Sequence, residues 1–123
     1  MPRVTTTYDP NNIFARILRG EIPNNTVLET DHALAFRDIH PQAPTHVLLI
    51  PKGPYVDFGH FVAEASAAEQ AGFNAALDAV LKALELPAGF RVIANAGPDS
   101  NQEVPHFHLH ILGGRNLGPL LPA

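Results

Sequence analysis

The 123-residue sequence predicts an α+β fold, a five-stranded antiparallel sheet with one long and one or two short helices. Three observations predict it. The apolar pattern runs helix, three strands, long helix, two strands. The one long helical stripe lies mid-chain with strand-like segments on either side. Those segments are short and bounded by Gly, Pro, Asn and Asp, which suits antiparallel pairing. A mixed sheet closed by a crossover helix is the alternative topology.

Each element has a local reason. Residues 1–11 read as a flexible arm running through Asp9-Pro10. Asn11 or Asn12 then caps a short helix in which Ile13, Phe14, Ile17 and Leu18 share a face. Gly20 stops it and Pro23 forbids its continuation. Residues 26–30 and 33–37 read as two strands joined by Asp31-His32. Two prolines within residues 38–44 make a rigid loop, and residues 46–50 form a central, nearly all-apolar strand ended by Pro51. A short helix over 56–63 offers Phe58, Phe61 and Val62. Ser66 with Glu69 is a capping box, and it opens a helix over 67–85 with Phe73, Ala76, Leu77, Val80 and Leu84 on one stripe. Pro87 and Gly89 end that helix. A strand over 90–94, a polar loop over 95–105 and a last strand over 107–112 follow. Gly113-Gly114 closes the strand, and residues 115–123 are a Pro-containing tail. The whole reads as a single domain over 1–123.

Composition removes several function classes. Lys and Arg total 8 against 12 Asp and Glu, a formal net charge of −4, and no basic tract exists to bind nucleic acid or an anionic membrane. Apolar types make up 46% and charged types 16%, which argues against disorder. With no cysteine, disulfides, thiolate nucleophiles and Cys-ligated zinc are excluded. The first ten residues hold no apolar run and no stretch is long enough to span a bilayer, so a soluble cytoplasmic protein is expected.

The informative segment is His106-Phe107-His108-Leu109-His110. In a strand, side chains alternate between faces, so the three histidines stand on one side, about 6.5–7 Å apart, while Phe107, Leu109 and Ile111 anchor the other. Four readings compete: a cluster of satisfied histidines, a zinc site, an anion-binding site without turnover, and a phosphoryl or nucleotidyl transfer site. Three histidines along a flat strand converge poorly on one ion. Imidazole, with its ordinary pKa near 6.5, is a good nucleophile toward phosphorus, and neighbouring rings can donate to the charge that builds on its oxygens.

His106-Phe107-His108-Leu109-His110-Ile111 resembles the signature of the histidine-triad (HIT) family. Phe36-Arg37-Asp38-Ile39, Pro41-Gln42-Ala43-Pro44-Thr45-His46 and Leu49-Ile50-Pro51-Lys52 resemble its N-terminal half. Ile13-Phe14, Ile17 and Glu21-Ile22-Pro23, with Leu112-Gly113-Gly114-Arg115 and Leu117-Gly118-Pro119, are similar to the bacterial Hint branch, the purine nucleoside phosphoramidases. The resemblance spans about residues 12–119. It implies a HIT-like fold and a hydrolase that cleaves purine nucleoside 5′-phosphoramidates through a nucleotidyl-histidine intermediate. In that scheme His108 is the nucleophile, His106 and His110 flank the phosphate, and His46 supports them from behind. Asp38 would grip the ribose hydroxyls, and Ile13, Phe14, Ile22, Phe36 and Ile39 would line the base pocket. Asn95 would lie near the phosphate or leaving group. The backbone of Gln102, Glu103 and Val104 and the Gln102 amide would meet phosphate oxygens. The expected ligand is a purine nucleotide of the AMP or GMP kind. No metal or other cofactor is required by this scheme.

Three departures stand out. Glu103 occupies a position held by serine in some Hint proteins, Pro105 one often held by tyrosine, and Asn101 replaces a common loop glycine. The resemblance further implies a two-fold homodimer. Two other functions stay open: a dinucleoside polyphosphate hydrolase like the Fhit branch, and a nucleotide-binding regulatory protein with incidental turnover.

Overall fold

The computed structural model describes residues 7–122. In chain order its elements are helix α1 (Ile13–Leu18), strands β1 (Thr26–Glu29), β2 (Ala33–Arg37) and β3 (Thr45–Pro51), helices α2 (Phe58–Glu64) and α3 (Ala67–Leu84), strand β4 (Phe90–Ile93), a 3-10 turn at Pro98–Ser100, and strand β5 (Leu109–Gly113). The five strands form one sheet in the order β1-β2-β3-β5-β4, and every neighbouring pair is antiparallel. The mixed-sheet alternative falls away. Strand β5 inserts between β3 and β4 because α2 and α3 carry the chain across one face before β4 begins.

The caps show why helices start where they do. The Asn12 side chain accepts from the Ala15 N–H at 2.9 Å. The Asp57 carboxylate caps α2 by accepting from His60 N–H at 2.8 Å. Ser66 and Glu69 satisfy each other's backbone N–H groups, the reciprocal arrangement their spacing predicts. Helix α3 ends as Glu85 turns left-handed at φ 50°.

Strand alternation splits the core in two. Val47 and Leu49 of β3, Ala33 and Ala35 of β2, and Leu109 and Ile111 of β5 face α3, where they meet Phe73, Ala76 and Val80. Phe107 sits among them, stacked on Phe58 and tilted against Phe61 and Phe73 with ring centroids 5.1–5.2 Å apart. On the opposite face Leu34, Phe36, Leu48 and Ile50 pack under Phe14 and Ile17 of α1. Helix α1 is too short to cover that whole face. The part it leaves open holds His46 and His110.

Several boundaries differ from the expectation. Strand β5 starts at Leu109, so His106 and His108 precede it and only His110 belongs to the strand proper. Pro105 lacks an N–H, and the His106 and Phe107 N–H groups bond to Val104 O and Tyr55 O rather than to a strand neighbour. Ile13 does not share the buried face of α1 and is 44% exposed. Of the expected flexible arm, residues 1–6 lie outside the described residues. Of the remainder, Tyr8 packs against His106, while Asp9 and Pro10 are exposed and tied by hydrogen bonds to Asn11, Asn12 and Arg19. No helix among the described residues is long and apolar enough to cross a membrane.

Phe107 is 1% exposed and joins the aromatic cluster to the histidine segment. Phe107→Ala is therefore expected to destabilise the fold by about 3–5 kcal/mol, measured by chemical denaturation. A loss below about 1 kcal/mol would show that this cluster does not hold the segment in place.

Candidate active site

The open part of the α1 face is a cavity of about 650 Å³. Its floor is β3 and β5, its walls are the loop after β2 and the loop before β5, and its back edge is Phe14 of α1. His108, His110, Asp38 and Asn95 reach it. The Phe14 ring stands edge-on to His108, with centroids 5.0 Å apart.

Buried imidazoles need partners for both ring nitrogens, and here the partners dictate the tautomers. The carbonyl of His106 lies 2.8 Å from His108 Nδ1. A carbonyl only accepts, so Nδ1 carries the proton and Nε2 keeps its lone pair. Likewise the Pro51 carbonyl, 2.8 Å from His106 Nε2, fixes the proton there and leaves Nδ1 to accept from the Tyr8 hydroxyl at 2.6 Å. The Gln42 backbone N–H points at His46 Nδ1 from 3.1 Å, so the neutral ring holds its proton on Nε2. That Nε2–H faces His110 Nδ1 at 2.9 Å, which places the His110 proton on its own Nε2. The result is one ring with a free lone pair, His108, beside one ring with a spare donor, His110.

Charge follows burial. Desolvation pulls His106 down to about 4, with the neighbouring His108 adding to it and the Pro51 carbonyl opposing it. His110 also falls to about 4, through burial first and then the nearby His108 and His46. Burial lowers His108 and His46 as well, offset in part by Asp38 at both and by the His106 carbonyl at His108. The four rings are neutral at pH 7.

The expected site residues fall into two groups. Asp38, Asn95, Glu103, Val104, Phe14, His108 and His110 border the cavity. The Asp38 carboxylate also ties its own loop, accepting from His40 N–H at 2.8 Å and lying 3.5 Å from His46 Nε2. The others stand elsewhere. His106 has 0% exposure and both ring nitrogens occupied, and it lies behind the cavity lining instead of in it. The Gln102 amide is used up inside the protein: its oxygen accepts from Gly97 N–H at 2.9 Å, and its nitrogen donates to Val56 O and Val104 O. It braces the wall instead of offering a donor. Phe36 is core, Ile22 packs against the same cluster, and Ile13 and Ile39 are 44% and 83% exposed, so none of these four borders the cavity. Asn101, in place of a loop glycine, takes the left-handed conformation at φ 57°, which asparagine tolerates. Sequence reasoning missed Tyr8 and the backbone of Gln42. The Tyr8 contact spans 98 residues and has no periodicity to betray it. His40, Leu48, Ser100 and Pro122 also border the cavity and carry no pattern that marks them.

Comparison with known proteins places this geometry among related chains. The HIT domain family matches residues 19–117. An uncharacterised 13.2 kDa HIT-like protein from Azospirillum brasilense is 60% identical over 116 residues, 94% of this chain and 95% of that one. The purine nucleoside phosphoramidase of Escherichia coli is 41% identical over 115 residues, covering 89% and 92%. The crystal structure of a HIT family hydrolase from Legionella pneumophila superposes with a TM-score of 0.80 at 39% identity, covering 88% of this chain and 96% of that one.

One expectation is corrected by these relatives. A 14 kDa zinc-binding protein of Zea mays is 44% identical over 110 residues, covering 89% and 86%, and a Brassica juncea relative has the same name. In this chain Asp38, His46 and His110 present ligand atoms within 4.8 Å of one another. Two imidazoles and a carboxylate are donors of the type zinc takes, although His46 Nε2 and His110 Nδ1 are here hydrogen-bonded to each other at 2.9 Å. The expectation of strict metal independence therefore does not stand. That expectation rests on a reaction scheme in which histidines and backbone donors carry the charge; the flat row of three histidines argues separately against zinc, but His46 and Asp38 come from other segments and converge on His110. Zinc held there would bring positive charge to the cavity floor. It would also require His46 Nε2 to release its proton, against the Gln42 N–H that now fixes the opposite tautomer.

The depressed His106 pKa has a consequence for stability. Above pH 6.5 the ring is neutral folded and unfolded, so it imposes no pH dependence. Between 6.5 and about 4 the unfolded chain binds a proton that the folded chain refuses, so stability falls as pH falls. This group alone should leave the protein about 3 kcal/mol less stable at pH 4 than at pH 7.5 in denaturation, and the lowered His110, His108 and His46 add to that loss. A flat profile across that window would show that His106 titrates normally.

Proposed function

The chain belongs to the HIT family, and on that premise we propose that it is a hydrolase of purine nucleoside 5′-phosphoramidates, with His108 as its nucleophile. The observation that carries the reading is the 2.8 Å contact of His108 Nδ1 with the His106 carbonyl, which leaves Nε2 free at the cavity wall. Nε2 attacks the α-phosphorus, an N–P bond forms, and the P–N bond to the leaving amine breaks as the amine takes up a proton from solvent. The imidazole becomes cationic during this step, and the carbonyl on Nδ1–H stabilises that charge. His110, with its proton on Nε2, donates to a phosphate oxygen. Water then attacks phosphorus and gives up a proton to solvent, the N–P bond breaks with its electron pair returning to Nε2, and nucleoside monophosphate leaves with His108 neutral again. Asp38 accepts the ribose hydroxyls with the lone pairs its loop contacts leave unused. Phe14 and Leu48 supply apolar surface beside the base.

A second copy of the chain is part of the reading. Strand β4 is a sheet edge, and its Phe90 and Val92 are 50% and 37% exposed on the side that carries α3. An open edge with apolar side chains favours closed two-fold pairing. A cytoplasmic setting also belongs to the reading, supported by a cysteine-free composition.

Turnover of an adenosine phosphoramidate, a diadenosine polyphosphate and an acyl-adenylate, each with chelator and with added zinc, tests the reaction class. The phosphoramidate should release AMP fastest, and His108→Ala should abolish that release. Equal rates for the variant and the natural protein would remove His108 from its role. Asp38→Asn should weaken AMP binding by about 1.5–3 kcal/mol while barely affecting the 2′,3′-dideoxy analogue. Equal losses for both ligands would place Asp38 away from the ribose.

A further inference from the structure

We propose that Tyr8 is a positioning residue for this reaction: its hydroxyl locks the His106 ring, and His106 in turn holds the nucleophile through its main-chain carbonyl. The inference rests on the phosphoramidase reading for its kinetic part and on geometry alone for the lock.

His106 is fully enclosed, so no solvent can satisfy a nitrogen that loses its protein partner. Its Nε2–H is anchored on the Pro51 carbonyl at the end of β3. The second nitrogen, Nδ1, has the Tyr8 hydroxyl as its partner at 2.6 Å, with the two rings edge-on and their centroids 5.5 Å apart. Burial raises the Tyr8 phenol above its ordinary 10, so the hydroxyl remains a donor throughout the neutral range. With both nitrogens held, the ring cannot rotate. The carbonyl of the same residue then stands 2.8 Å from His108 Nδ1.

Tyr8 itself is held by the entry to α1. The Asp9 carboxylate accepts from Asn11 N–H at 2.8 Å, the Asn12 side-chain amide donates to Asp9 O at 2.7 Å, and Arg19 donates to Pro10 O at 2.7 Å. The same helix sets Phe14 edge-on to His108. One short N-terminal unit thus touches the nucleophile directly through Phe14 and indirectly through Tyr8. A segment outside the sheet and outside the histidine strand helps to aim the attacking nitrogen.

The test is Tyr8→Phe in the full chain, which keeps the ring and removes only the hydroxyl. Adenosine 5′-phosphoramidate turnover should show kcat reduced about tenfold. KM should stay within about twofold, because the cavity walls are untouched. Ring 15N spectra of the natural protein should show His106 protonated on Nε2 with a hydrogen-bonded Nδ1. The variant should lose the hydrogen-bonded signature at Nδ1 and show a displaced His108 signal. A merely structural tyrosine would lower the melting temperature and leave kcat and the His108 signal unchanged, and that result would overturn the proposal. If the natural protein does not turn over the phosphoramidate, the functional reading fails while the spectra still decide the lock. If Tyr8→Phe does not fold, the natural protein's spectrum decides alone, and a proton on His106 Nδ1 overturns the proposal.

Discussion

The site depends on one constraint: an imidazole enclosed by protein must find a partner for each nitrogen, and a main-chain partner cannot change its role. Carbonyls of His106 and Pro51 accept, and the N–H of Gln42 donates. Those three backbone groups decide where every proton in the cluster sits. A side-chain partner could rotate or titrate. A peptide group cannot, so the division between the ring that offers a lone pair and the ring that offers a proton is built into the chain path.

Packing makes that path reproducible. The histidine segment is pinned on one side by Phe107, enclosed among Phe58, Phe61 and Phe73, and on the other by α1 through Phe14. The sheet can afford polar rings on its α1 face because its other face buries an uninterrupted apolar layer against α3. The same burial that excludes water from His106 and His108 keeps their rings uncharged, since a charged ring there would lose its hydration. Stability and chemistry therefore draw on one arrangement.

Much of this was legible in the sequence, for identifiable reasons. Helix α3 announced itself through its capping box and its apolar stripe, and β2 and β3 through short apolar runs bounded by turns. These are local signals. The histidine segment was legible as a motif, but its geometry was read too regularly. Pro105 delays the strand to Leu109, and His106 is drawn inside, which alternation along an ideal strand does not foresee. Gln102 was expected to offer its amide to a ligand, yet three backbone groups 5, 46 and 2 residues away already occupy it. Contacts of that kind, like Tyr8 with His106 across 98 residues, depend on how distant segments meet, and residue types at fixed spacing do not encode them.

The Gln102 brace has an energetic meaning. By joining Gly97, Val56 and Val104, it sets the cavity wall in the unliganded protein, where a looser loop would have to be ordered around each arriving molecule. A molecule entering there meets a wall whose ordering cost is already met within the protein. Under the proposed hydrolase reading, that standing wall places selectivity in the shape of the pocket before a ligand arrives.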